Sequence, residues 1–399
     1  MRVSLRPLPN PALRASAQDV GAAPPRPLLD PAGPMCVLGS RAGDGALSTP
    51  VAPSPETMFG PRGAALASAN GPLFVTDTGH HRLLIWRRRP EVDQTPADLV
   101  IGQPDFLREG RNAKGEPSAA TLNVPTGVAA TADVLAVADA WNHRVLIWRG
   151  HPDASNRPAD VVLGQADFTG ALANRGGEAG AHTLNWCYGV AIADGRLIVC
   201  DTGNRRVLIW NAIPDRSGAP ADLVLGQTRM DCRDENGGRP VDAGGMRWPH
   251  AATIAQGRLV VADAGDNRLM AWDAMPRENG APCDFVIGQL SALGADHNRA
   301  AYWPDAASLN MPYGCAATAW GLAVTDTANS RLIGYTELRM GAAAERLTGQ
   351  GDFSGKGDNR WKAPVRDSLC WPYGLAIAGD IAAIADSGNN RLLLWRLAP

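Results

Sequence analysis

The chain has 399 residues, and 38 Lys plus Arg against 40 Asp plus Glu give a formal net charge of −2. That balance excludes a general nucleic-acid binder, which needs a basic excess to displace counterions. No stretch approaches the ~18 apolar residues of a membrane helix, and 44 Gly with 31 Pro ask for many turns and few long helices.

In chain order, residues 1–33 read as a Pro- and Arg-containing tail, mobile or lying across the surface. Pro7, Pro9 and Pro11 interrupt the only run that could form the apolar core of a secretory signal, so the expected compartment is the cytoplasm. Seven Cys, an odd number with no C-x-x-C pair, argue against a disulfide framework.

Residues 34–399 repeat. One phrase recurs as Asp77-T-G-H-H-Arg82, Asp139-A-W-N-H-Arg144, Asp201-T-G-N-R-Arg206, Asp263-A-G-D-N-Arg268, Asp326-T-A-N-S-Arg331 and Asp386-S-G-N-N-Arg391. The steps from Asp to Asp are 62, 62, 62, 63 and 60 residues. A second phrase ends in Gly-Gln at 102–103, 164–165, 226–227, 288–289 and 349–350, and Gly39-Ser40 lies 63 residues before the first of these. Two phrases in step over the chain mark a tandem repeat.

Each unit reads as four short strands. In the third these are Gly189–Ala193, Arg196–Asp201, Arg206–Trp210 and Ala221–Gly226, apolar runs bounded by Gly, Asn, Asp and Pro. Units of this kind bury their faces by packing radially. The predicted fold is therefore all-β: a six-bladed β-propeller of four-stranded blades. The chain opens with a fourth-strand phrase, Met35 to Gly39, and closes with three strands between Tyr373 and Trp395 that lack a fourth. Met35 to Gly39 is expected to complete the last blade and close the ring. The innermost strands are small, as in Gly127-V-A-Ala130, because larger residues would overpack the axis. Trp86, Trp148, Trp210, Trp272, Tyr335 and Trp395 recur on the third strands and read as core between blades.

The unit from Pro125 to Trp148, P-T-G-V-A-A-T-A-D-V-L-A-V-A-D-A-W-N-H-R-V-L-I-W, resembles the NHL repeat, and the resemblance covers about residues 34–399. It implies a propeller, as the strand count does independently. The units are longer than usual, with about twenty extra residues after each Gly-Gln. Their V-L-G-Q-x-D-F phrase, at Val161 to Phe168, is similar to a bacterial subgroup. The family includes protein-binding, RNA-binding and lyase members, so the resemblance does not choose a function.

The repeated Asp and Arg are read as structural: Asp accepts turn N–H groups and Arg returns to it. The repeated Gln is expected to hold the loop after it. The six long links and the turns between second and third strands share one face, the top, where the units stop matching. Before each first-strand Gly, or its equivalent, stand Arg62, Thr126, Tyr188, His250, Tyr313 and Tyr373. These six are expected to ring the mouth of the axial channel. Trp186, Trp248 and Trp371 lie two positions upstream of three of them. Either the tryptophans pack the loops, or the mixed ring and its tryptophans form a recognition surface.

His182, Cys187 and His250 fall in neighbouring top-face segments, but no ligand spacing joins them, and neither a metal nor a cofactor is assigned. NHL-type lyases use channel histidines for a metal; of those positions only His250 matches. Arg87-Arg88-Arg89, the one basic run, follows a third strand toward the opposite face, so RNA is not the expected partner. Two functions stand: a non-catalytic propeller binding a protein or peptide partner through its top face, and a lyase or hydrolase acting on a small molecule at the channel mouth through His250, Tyr188 and Arg62.

Overall fold

The structure, a computed structural model, describes residues 24–40 and 51–399. Among these the chain is all-β, with short 3₁₀ turns and no α-helix. It forms six sheets of four antiparallel strands each, one of which carries a fifth strand. The innermost strand of each blade packs on that of the next, and Pro372–Ala378 returns to Gly63–Leu66 to close the circle. The fold is the expected six-bladed propeller.

The third blade has Gly189–Ala193, Arg196–Asp201 and Arg206–Trp210 with the predicted bounds. Its outermost strand, Leu223–Leu225, is shorter than expected. Gly226 ends it with a φ of +85°. The Gly of every Gly-Gln phrase, and Gly39, shares this left-handed backbone, which only glycine adopts without cost.

Cys36–Gly39 pairs antiparallel with Arg391–Arg396 and completes the last blade. Its outer edge is held by Asp93, whose carboxylate accepts the Val37 N–H at 2.9 Å, while Arg366 bridges Asp93 and the Pro34 carbonyl.

Residues 24–33, within the segment read as a tail, dock on the propeller. Arg26–Pro27 pairs parallel with Arg346–Thr348 of the fifth blade as that extra strand. Leu28 and Leu29 are fully buried with Leu393 and Trp395. The Trp395 indole N–H donates to the Asp30 carbonyl at 2.7 Å. In the first four blades the corresponding tryptophan donates to a carbonyl nine residues on, at 3.0–3.1 Å. The chain's front therefore supplies the last blade with the acceptor that the first four blades find nine residues on. Residues 1–23 lie outside the described residues.

The Asp and Arg of each unit form a buried knot. Asp201 Oδ1 accepts the Asn185 N–H and its Oδ2 accepts Arg206 Nε, both at 2.7 Å. Arg206 Nη2 donates to the Gly180 and Thr183 carbonyls at 3.0 Å, and Nη1 donates to the Met230 carbonyl. One guanidinium thus fastens the long link before its blade and the link after it. Both partners are fully buried in the other blades too. The repeated Gln does the work expected of it: Gln165 Nε2 holds the Leu172 carbonyl at 2.9 Å in the link that follows.

Replacing Arg206 by Met leaves a buried carboxylate and three carbonyls without their donor, and should cost about 3–5 kcal/mol of unfolding free energy in denaturant titration. Leu28→Ala should cost about 2–5 kcal/mol by the same measurement, the range for truncating a fully buried leucine. A loss near zero would mean that the front segment does not dock.

Candidate functional site

Pro125, Pro249, Pro312 and Pro372 begin the innermost strands of four blades, two residues earlier than the small-residue runs indicate. The pairing register shifts just after each of these prolines. Thr126, His250, Tyr313 and Tyr373 sit at these bulges, and a bulge re-aims a side chain out of the regular alternation. Arg62 and Tyr188 directly precede their strands. All six residues line one axial cavity of about 290 Å³, with Ala-rich strand walls below them.

Glycine follows five of the six for a steric reason. A Cβ on Gly189 would lie 2.2 Å from the His250 carbonyl oxygen, and one on Gly63 would lie 2.1 Å from that of Thr126. Neighbouring blades therefore meet backbone to backbone at the axis, just below the mouth.

Five of the six side chains touch in a closed collar. Ring centroids are 4.5 Å apart for Tyr188 and His250, 4.3 Å for His250 and Tyr313, and 4.6 Å for Tyr313 and Tyr373. The Arg62 guanidinium completes the circle, 4.8 Å from the Tyr373 ring and 5.5 Å from that of Tyr188. It spans the place of Thr126, which is short and buried and whose hydroxyl is spent on the Tyr188 carbonyl at 2.8 Å. The three upstream tryptophans lie just outside. Trp186 meets Tyr188 edge-on at 5.4 Å, Trp371 stacks on Tyr373 at 6.5 Å, and Trp248 lies under the Arg247 guanidinium at 5.2 Å. Trp186 is 37% exposed, so it backs the collar without being sealed in.

His250 is held neutral. Burial lowers its pKa to about 4, with the nearby Arg62 charge a lesser cause in the same direction. Its Nδ1 meets the Trp248 carbonyl at 2.9 Å, and so carries the proton. Burial also pushes the Tyr313 hydroxyl above its ordinary range. The cavity lining contains no Asp or Glu, and Arg62 is its one charged residue.

The residues weighed for a metal are not gathered. The His182 ring meets the Gly218 carbonyl, and the Cys187 thiol is buried against the Arg144 carbonyl. No group of three His, Cys, Asp or Glu stands in metal-holding range among the described residues.

The sequence reading missed a second set of 3₁₀ turns in the long links. Each of these places a left-handed, buried Asn at 112, 174, 236, 298 or 359. In four links this Asn pairs amide to amide with the Asn three residues after the repeated Asp, as Asn174 does with Asn204 at 2.8 and 3.0 Å. The recurring N-R and N-G dipeptides were the available signal. Phe59, at the mouth's edge and 47% exposed, was also missed, because no other unit has an aromatic there.

The fourth blade departs from this rule. Asp266 stands where the others have Asn (His80 in the first), beside the Asp263 carboxylate. Its Oδ2 lies 3.5 Å from Arg268 but makes no hydrogen bond, and neither does Asn236 Oδ1. Nearby, a second regular bond is lost. In the other five blades, the residue two before the collar position donates its N–H to His81, His143, Asn267, Ser330 or Asn390 of the preceding blade. Arg205 occupies that place before Trp248 and cannot accept. The Trp248 N–H goes instead to Asp263, at 2.9 Å.

Comparison with known proteins gives no family model and no curated protein that matches the chain. Among solved structures, the chain is similar to a Bacteroides thetaiotaomicron protein of unknown function, at 12% identity and a TM-score of 0.49, over 86% of this chain and 70% of that one. It is similar to a gluconolactonase from Xanthomonas campestris at 16% identity and a TM-score of 0.47, over 94% and 98%. A nidogen/laminin complex matches at 14% identity and a TM-score of 0.40, over 80% and 84%. These likenesses are too distant to carry a function.

Burial, and then the Asp263 charge, raise Asp266 from 3.8 to about 7. The folded protein holds this proton more tightly than the unfolded chain. Its contribution to stability is therefore present below about pH 4 and is lost as pH rises through about 7. Asp266→Asn restores the regular amide. It should raise the melting temperature above that of the parent at pH 8, with the gap narrowing steadily toward pH 4. A gap independent of pH would refute the assignment of the proton.

Proposed function

We propose that this protein is a non-catalytic propeller whose aromatic top face binds a protein or peptide partner. The collar supports this reading. Six equivalent positions at the starts of the innermost strands carry four different residue types, and four of the six side chains are aromatic rings. Packing would accept one residue repeated around the axis, whereas recognition requires differences between positions. The exposed faces of Phe59 and Trp186 extend the aromatic area outward from the mouth.

We infer further that the repeat is of the NHL type, on the strength of six Asp-to-Arg phrases in register. Placement in a reducing compartment such as the cytoplasm is supported by seven cysteines that are all free. No helix among the described residues is long and apolar enough to cross a membrane.

The second reading, a lyase or hydrolase, draws on the contact of His250 with Tyr188 and on the nearby Arg62. It has less support. A general base works best with a pKa near the working pH, and His250 is held near 4 with its Nδ1 on a backbone carbonyl instead of a carboxylate.

Affinity capture with the full chain tests the first reading. A partner should be retained by the parent and lost with Tyr313→Ala or Trp248→Ala, each of which should remain folded. Retention of the partner by both variants would refute docking at the collar.

A further inference from the structure

Arg62 is unlike the other engaged arginines of the propeller. It is half-buried at the channel mouth, yet among the described residues its guanidinium has neither a hydrogen bond nor a carboxylate partner. It lies over two rings instead, its Cζ 4.8 Å from the Tyr373 centroid and 5.5 Å from that of Tyr188. A guanidinium engaged only by ring contacts has its N–H groups without an acceptor, and those groups form the fork that fits a carboxylate with two parallel bonds.

The surroundings favour an anion. His250 and Tyr313 stack within 15° of parallel, and Tyr313 and Tyr373 are tilted by 38°. No carboxylate lines the cavity to compete for the guanidinium, and His250 adds no charge of its own at neutral pH.

A second recess opens from the same arginine. It lies between the first and last blades, has a volume of about 370 Å³, and is bounded by Phe59, Trp371 and Tyr373 over a floor that includes Gly79 and Gly388. Gly79 lets the Phe59 ring lie low across the floor, since a Cβ there would come within 2.3 Å of the ring. The recess is walled by two large apolar rings, and its one charged lining residue is Arg62.

The geometry points to a composite site for an apolar carboxylic acid, with the carboxylate on the Arg62 fork and the apolar body in the recess between Phe59 and Trp371. The chemistry fits the end of a polypeptide, an α-carboxylate on an apolar last residue, and equally a free acid of the same shape. The assignment rests on the top face being a recognition surface, as proposed above, and it names what that surface grips.

N-acetyl-phenylalanine and its amide are the probes, titrated calorimetrically into the full chain. The acid should bind, and the amide about tenfold or more weakly, since it lacks the charge that the fork reads. Arg62→Gln should abolish the discrimination, and Arg62→Lys should restore only part of it. Because Arg62 closes no ion pair among the described residues and its variants lose only its two ring contacts, they should fold and melt only slightly below the parent, and that measurement separates a lost site from a lost fold. A hexapeptide ending in phenylalanine that binds about tenfold more tightly than the acid would assign the carboxylate to a chain end, and equal affinity would assign it to a free acid. The proposal is overturned if acid and amide bind alike, if the acid shows no binding up to about 10 mM, or if discrimination survives Arg62→Gln. Loss of acid discrimination with partner capture still dependent on Tyr313 would sink the carboxylate and leave the docking surface. Intact discrimination with capture unaffected by Tyr313→Ala would do the reverse.

Discussion

The buried Asp–Arg knot is the constraint on which the rest of the propeller depends. Strand pairing alone would make six separate sheets, and apolar packing between them would be tolerant of slippage. The knot adds direction. In the third blade, Asp201 anchors the entry of its link at Asn185, and Arg206 then ties the Gly180 and Thr183 carbonyls before the blade to the Met230 carbonyl after it. Two long links thereby share one guanidinium. Because Arg206 is fully buried and lifting a link would strip its donors of their acceptors, the links have little freedom to lift from the top face while the core is intact. A buried ion pair is weak evidence for stability in itself; its effect here is to fix where six irregular segments lie.

The fourth blade shows what happens when that framework is loosened locally. Asp266 introduces a second carboxylate beside Asp263, and Arg205 removes the acceptor that the next loop uses elsewhere. Asp263 Oδ1 then receives two N–H groups, from Arg247 at 3.1 Å and Trp248 at 2.9 Å, where the other blades offer one. Trp248 consequently keeps an ordinary backbone, while Val124, Trp186, Met311 and Trp371 have positive φ. The Trp248 carbonyl in turn accepts the His250 proton. The one histidine of the collar is thus linked to one departure from the repeat, Arg205 in the place of an acceptor.

The sequence carried the regular part of the molecule well, because repetition amplifies a local signal. Six copies of one phrase gave the blades, and the missing fourth strand at the end gave the closure by Cys36–Gly39. The ring positions were also readable, since glycine after them reflects a close approach of backbones that recurs at the axis. What escaped was contact between segments far apart in the chain. Arg26–Leu29 contains too few residues to announce a strand, and its docking depends on Arg346–Thr348, some 320 residues away. The Asn174–Asn204 pair joins two loops whose sequences differ from unit to unit around the one constant residue. Thr126 was counted with the ring, but its hydroxyl is turned to the Tyr188 backbone, a choice of rotamer that spacing does not encode.

The same contrast explains where recognition can reside. A repeat protein holds its backbone by what its units share, so distinct chemistry belongs at positions that the shared bonds do not use. The collar side chains meet that condition: the knots engage the ends of the links, and the inner strands engage one another through glycine. Arg62 is the clearest case. It reaches across the slot left by the short Thr126 and rests on rings from two other blades, so the position of its charge depends on the whole circle being closed. Closure in turn depends on the front of the chain pairing with its end. A loss of that pairing would therefore reach the mouth of the channel by moving Tyr373 of the last blade away from Arg62 of the first, with every strand within the individual blades still in register.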